Sequence, residues 1–138
     1  MKKALPILAL LLSLCLLVSC AKEAEGNLWA EAAYTEDTTL GEGTTTVTVE
    51  VKVEDKSIDF TLKTDKTILG DALLEHKLIE GEEGQYGMYI KRVNGITADF
   101  DVDQSYWAFY KNGEMMMTGV DGTEIKDGEH YELVYTKS

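Results

Sequence analysis

YGMYIKRVNGITADFDVDQSYWAFYKNGEMMMTGVDGTEIKDGEHYELVY, Tyr86 to Tyr135, holds most of the aromatic residues and nearly all the turn signals of the chain. It reads as a set of short strands. Asn94-Gly95 and Asn112-Gly113 each sit between apolar or alternating runs. Asn-Gly tolerates the positive φ that a two-residue type I′ turn demands, so two hairpins are predicted. Asp121-Gly122 and Asp127-Gly128 mark two further turns. They leave His130 to Tyr135 as a closing strand with Tyr131, Leu133 and Tyr135 on one face.

Upstream, Val47, Val49, Val51 and Val53 alternate with Thr46, Thr48, Glu50 and Lys52, the pattern of a half-buried strand. After Glu54-Asp55-Lys56, the residues Ile58, Phe60 and Leu62 repeat the alternation and complete a first hairpin. Asp65 offers a helix N-cap, and Ile68, Leu69, Ala72, Leu73 and Leu78 recur at helical spacing until Gly81. Gly70 inside that helix suggests close packing against the sheet. Hairpin, helix, then more strands predicts an α+β class, a β-grasp-like mixed sheet with one crossing helix over residues 44–138. Those 95 residues suffice for one domain.

The first residues carry an address. Lys2 and Lys3 precede the apolar run Ala4 to Val18, and Leu17-Val18-Ser19-Cys20 follows the lipobox pattern of a bacterial lipoprotein. Residues 1–19 then form the signal, Cys20 is the lipidated residue, and 20–43 is a tether. Removing 19 of 138 residues leaves 119. A diacylated Cys20 predicts stable anchoring to the outer face of a membrane and an extracytoplasmic location. Cys15 leaves with the signal, so no disulfide, thiolate metal site or Cys nucleophile is expected. A flexible tether of this length spans about 25 Å on average, although Trp29 and Tyr34 offer the means to pack back as an edge segment.

Charge narrows the partners. Thirteen basic against 25 acidic residues give a net of −12, which disfavours nucleic acid and anionic lipid headgroups. The chain has only two histidines, His76 and His130, each flanked by charged residues and read as surface positions. No G-x-S-x-G elbow is present for a Ser-His-Asp site, and with 25 acids a carboxylate pair carries no signal for glycoside hydrolysis. Asp99, Asp101 and Asp103 imitate the start of a calcium loop, but Gln104 stands where the loop needs Gly and Tyr110 where it needs Glu. No His or Cys cluster suggests zinc. The expectation is a protein that is not an enzyme, requires no cofactor and holds no metal.

What remains is aromatic and soft: Tyr86, Tyr89, Tyr106, Trp107, Phe109, Tyr110 and Met115-Met116-Met117. Alternation puts Tyr106, Ala108 and Tyr110 on one face of a strand and Trp107 with Phe109 on the other. Both faces are apolar, so one must be covered or must bind something.

YIKRVNGI at Tyr89 to Ile96, SYWAFYKNGE at Ser105 to Glu114 and IKDGEHYELVY at Ile125 to Tyr135 resemble the transcobalamin-like C-terminal domain, also known as DUF4430. That domain is the smaller, β-rich half of the vitamin B12 carriers and occurs alone in small bacterial surface lipoproteins. The likeness covers roughly the last half to two-thirds of the chain. It implies a β-rich domain with one helix that closes over a corrin from one side, using apolar side chains of the segment similar to SYWAFY and of the loop after it. Candidate ligand contacts are then Tyr89, Trp107, Phe109, Met115, Met116 and Met117, with cobalamin or another corrinoid as ligand. The large helical barrel of the carriers has no counterpart here. The alternative expectation is a cell-surface interaction or adhesion module for a protein or glycan.

Overall fold

The computed structural model describes residues 28–85 and 87–138. The expected signal, Cys20 and Tyr86 lie outside the described residues. The compact unit of interest runs from Glu31 to Ser138.

Among the described residues, nine strands form two sheets. β1 (Thr38–Gly41), β2 (Thr45–Val53), β3 (Lys56–Thr64), β7 (Ser105–Lys111), β8 (Glu114–Met115) and β9 (His130–Lys137) make a six-stranded mixed sheet in the order β1-β3-β2-β9-β7-β8. β4 (Ile79–Gly84), β5 (Gly87–Val93) and β6 (Ile96–Thr97) make a separate antiparallel sheet. Helix α1 (Leu69–Glu75) lies between the first hairpin and the small sheet in sequence. The mixed, β-rich class is as expected. The single sheet is not: the hairpin at Asn94-Gly95 joins β5 to β6 in the small sheet, whereas that at Asn112-Gly113 joins β7 to β8 in the large one.

The turn chemistry explains the hairpins. Asn94 and Gly95 have φ of 52° and 81°, and Asn112 and Gly113 have 51° and 83°, the two left-handed positions of a type I′ turn. Glu54 takes φ 59° in the first hairpin, where Val53 pairs with Lys56.

Alternation sets the core. Val47, Val49, Val51 and Val53 of β2 are buried with Ile58, Phe60 and Leu62 of β3 and Tyr131 and Leu133 of β9. Helix α1 adds Leu69, Ala72 and Leu73, and the small sheet adds Ile79, Ile90, Val93 and Ile96. Each fully buried aliphatic side chain contributes about 1.5–3 kcal/mol of transfer free energy.

The helix differs from its prediction at both ends. Asp65 is not its N-cap; its carboxylate accepts hydrogen bonds from the Thr44 N–H and hydroxyl. The first turn is held instead by pairing with a distant loop, Leu69 N–H donating to Thr123 O and Ile125 N–H to Thr67 O. Gly81 does not end the helix. Lys77 adopts φ 56°, Leu78 N–H reaches Leu73 O and Lys77 N–H reaches Leu74 O, a Schellman closure with Lys in the left-handed position. Gly70 does serve close packing, but against a 3-10 turn at Val120–Gly122 and not the sheet: a Cβ there would lie 3.0 Å from Asp121 Cα.

The expected tether also ends earlier. Ala33 N–H donates to Asn94 O, Tyr34 meets Phe60 edge-on at 5.5 Å, and β1 pairs parallel with β3 from Thr38↔Phe60 to Gly41↔Lys63. The domain boundary at residue 44 therefore moves to about residue 31, because Tyr34 and Leu40 gain packing and pairing that free linker residues lack.

Candidate functional site

A cleft of about 570 Å³ opens beside β5 and β7, lined by Glu82, Tyr89, Lys91, Asp99, Phe100, Asp101, Tyr106 and Trp107. Three local features build it. A bulge in the β4–β5 pairing leaves Lys91 without a direct partner, since Glu80 pairs with Arg92 and Gly81 with Ile90. The buried positions on β5, Ile90 and Val93, are consequently three apart, and Tyr89 and Lys91 both line the cleft. Close approach at the bulge needs glycine, because a Cβ on Gly81 would fall 2.4 Å from Tyr89 O.

The second feature is a short helical turn, Phe100–Asp103. Two of the three acids read as a failed calcium loop bond to neighbours in the chain. Asp99 caps the turn by accepting from Asp101 N–H, and Asp103 accepts from Ser105 N–H and hydroxyl. The Ser105 hydroxyl contact, with Lys137 nearby, holds the Asp103 carboxyl below its ordinary range. Phe100 is thereby held exposed above Tyr106, ring centroids 6.4 Å apart.

The third is the edge of β7. Trp107 is buried and meets Tyr135 edge-on at 5.6 Å, yet its indole Nε1 has no hydrogen-bond partner among the described residues. A buried donor left unpaired costs about 1–3 kcal/mol. At the rim, Lys91 Nζ lies 3.4 Å from Glu82 Oε1.

Of the expected contacts, Tyr89 and Trp107 line this cleft. Phe109 stacks on Tyr131 at 5.9 Å, on the inner face of the sheet. Met115 ends β8, which is only two residues long, and Met116 N–H donates to Phe109 O. Met117 is 92% exposed. Phe109 and the three methionines are not among the residues lining the cleft. Glu82, Lys91, Asp99, Phe100, Asp101 and Tyr106 are the additions; of these, the sequence singles out Tyr106 by its aromatic pattern and Asp99 and Asp101 by their spacing, without pointing to this cleft.

Next to Trp107's strand lies a second polar assembly. Glu129 accepts from the Tyr131 hydroxyl at 2.7 Å, from Lys126 N–H and from Lys111 Nζ. Burial would raise Glu129, but the bonds from Lys111, Tyr131 and Lys126 outweigh it and hold the carboxyl below its usual value. Burial and the adjacent carboxylate push the Tyr131 phenol well up.

Residues 65–137 match the family model described as a domain of unknown function, DUF4430. The chain belongs to the DUF4430 family. Its DUF4430 segment begins after β3, so the first hairpin completes the sheet from outside the matched residues. A crystal structure of a candidate metal-binding protein from Ruminococcus gnavus shares 35% identity, covering 69% of this chain and 99% of that one, with a TM-score of 0.65. Haptocorrin in complex with Cbi aligns at a TM-score of 0.51 and 20% identity over 71% of this chain, which spans 26% of haptocorrin. The DUF4430 domain thus has the transcobalamin-like fold. A search of curated proteins returned no match.

Proposed function

We propose that this DUF4430 protein is a non-enzymatic binding module, held outside the cell by lipid on Cys20, and that the cleft beside β5 and β7 takes its ligand. The observation that carries the reading is the aromatic wall of Tyr89, Phe100, Tyr106 and Trp107 in one cleft with carboxylates and one lysine at hand. Such a wall suits a flat, conjugated ligand with polar substituents, the general make-up of a binding pocket. A corrinoid is the leading candidate. The shared fold with haptocorrin, solved with Cbi, supports it. The open cleft would cover one face of such a ligand. The Ruminococcus gnavus relative extends the ligand classes to metal ions.

The test is titration of the full chain with cyanocobalamin and with cobinamide, followed by calorimetry and tryptophan fluorescence. Tyr89→Ala and Phe100→Ala, both at exposed positions, are expected to weaken binding roughly tenfold each, about 1.4 kcal/mol. No heat up to about 1 mM, weaker than roughly −4 kcal/mol, rejects corrinoids. The second reading, a cell-surface protein or glycan partner, is favoured by the exposed apolar residues Phe100, Val102, Met115 and Met117. Loss of partner capture in Val102→Ser with unchanged corrinoid binding would select it.

A further inference from the structure

The outer face of the large sheet, opposite the buried valines, carries a mixed nitrogen and oxygen cluster that the linear sequence scatters over 83 positions. β2 and β9 run parallel in a register that sets Thr48 beside His130 and Glu50 beside Glu132. Glu50 and His130 are therefore diagonal neighbours on one face, and His130 is two residues from Glu132 on that same face. His130 Nε2 stands 3.2 Å from Glu50 Oε1, and one donor atom from each of the three side chains falls within 4.8 Å of the others. All three side chains are half-buried, between 14% and 38% exposed. The backbone beneath them is fixed on both sides, because β2 is flanked by β3 and β9, and β9 by β2 and β7.

The chemistry of this set is specific. One imidazole with two carboxylates is a borderline donor set, unlike the all-oxygen shells of calcium or magnesium. Three protein donors leave open positions for water on a tetrahedral or larger shell. Charge also favours a cation. Lys52 Nζ neutralises one oxygen of Glu132 at 2.8 Å, while Asp59 sits directly across from Glu50 in the β2–β3 pairing. Three carboxylates thus share one ammonium and one imidazole. Contraction of the three donors by roughly an ångström brings them to the 2.0–2.2 Å bond lengths of zinc, a movement that side-chain rotation supplies without touching the strands.

We propose that Glu50, His130 and Glu132 form a binding site for one divalent first-row transition cation, with open coordination positions facing solvent. The site shares no residue with the cleft, so it stands or falls independently of corrinoid binding.

The test uses the full chain, freed of metal with chelator and with both cysteines blocked, titrated with zinc chloride by calorimetry. Side-chain nitrogen NMR of the two histidines is read in parallel. One equivalent is expected to bind, with the ring-nitrogen signals of His130 shifting and those of His76 unmoved. His130→Ala and Glu50→Gln are expected to weaken binding by at least ~10-fold, and His76→Ala to leave it within about twofold. Should His130→Ala unfold, as judged by circular dichroism, His130→Asn and Glu50→Gln carry the same comparison. Zinc affinity unchanged in these variants, binding lost in His76→Ala instead, or no binding up to about 1 mM overturns the assignment. So does a calcium response that ignores His130.

Discussion

Asn94 is fully buried at the tip of a hairpin, and its replacement is the sharpest test of how the N-terminal segment joins the domain. Its φ of 52° serves the turn. Its side chain meanwhile accepts from Tyr34 N–H at 2.9 Å and donates to Tyr34 O at 2.8 Å, imitating a pair of sheet hydrogen bonds. Asn94→Gly keeps the left-handed backbone and removes both side-chain bonds, at about 1 kcal/mol each. Asn94→Ala removes the same bonds and adds ~1 kcal/mol for a left-handed alanine. The expected losses are therefore about 2 kcal/mol for glycine and about 3 kcal/mol for alanine. For a domain of this size, 3 kcal/mol lowers the melting temperature by roughly 10–15 °C. Thermal and urea unfolding of the three proteins, followed by circular dichroism, give both numbers. Equal stability of Asn94→Ala and the parent, or a glycine variant less stable than the alanine one, would refute the division into clamp and turn.

Other outcomes follow from the same structure. Phe60→Ala, at a wholly buried ring beneath Tyr34, should cost about 3–5 kcal/mol in chemical denaturation. Gly113→Ala meets no atom within 4 Å but must hold φ +83°, so its loss of about 1 kcal/mol is purely conformational, and Gly113→Asn should recover part of it. Glu129 has a folded value below its ordinary 4.5; the stability it gives is complete above that ordinary value and is lost as pH falls through the folded one. Unfolding measured from pH 7 to pH 3 should show a shallower acid decline in Glu129→Ala than in the parent, and an unchanged decline would remove Glu129 from the account. Gly70→Ala should destabilise in spite of alanine's better helix propensity, since the new Cβ meets backbone atoms of Val120 and Asp121.

The strands were legible because their signals are local. Valine alternation in β2 and the two Asn-Gly turns require nothing beyond neighbouring residues, and they appear in the structure with the expected dihedral angles. The partition into two sheets was not legible, since either hairpin could have joined either sheet and only long-range packing decides. Asp65 shows the same limit: it has the composition of a cap, but Thr44 competes for its carboxylate from 21 residues away. In the cleft, Tyr89 and Trp107 stood out as aromatic residues, whereas Lys91 is placed by a bulge that no residue type announces. Asp99 caps a helical turn and Asp103 binds Ser105, local roles that three alternating Asp do not announce. Glu50, His130 and Glu132 come together only across strands, so no spacing along the chain announces them.

The parallel pairing of β2 with β9 has a consequence for biogenesis. β9, His130–Lys137, follows all the other described strands in chain order, yet it occupies the middle of the large sheet, between β2 and β7. Without it the sheet divides into β1-β3-β2 on one side and a two-stranded β7-β8 ribbon on the other. Closing a loop of some 80 residues between β2 and β9 precedes any reward from their contacts. The large sheet therefore closes only once β9 has been synthesised and has paired with both β2 and β7.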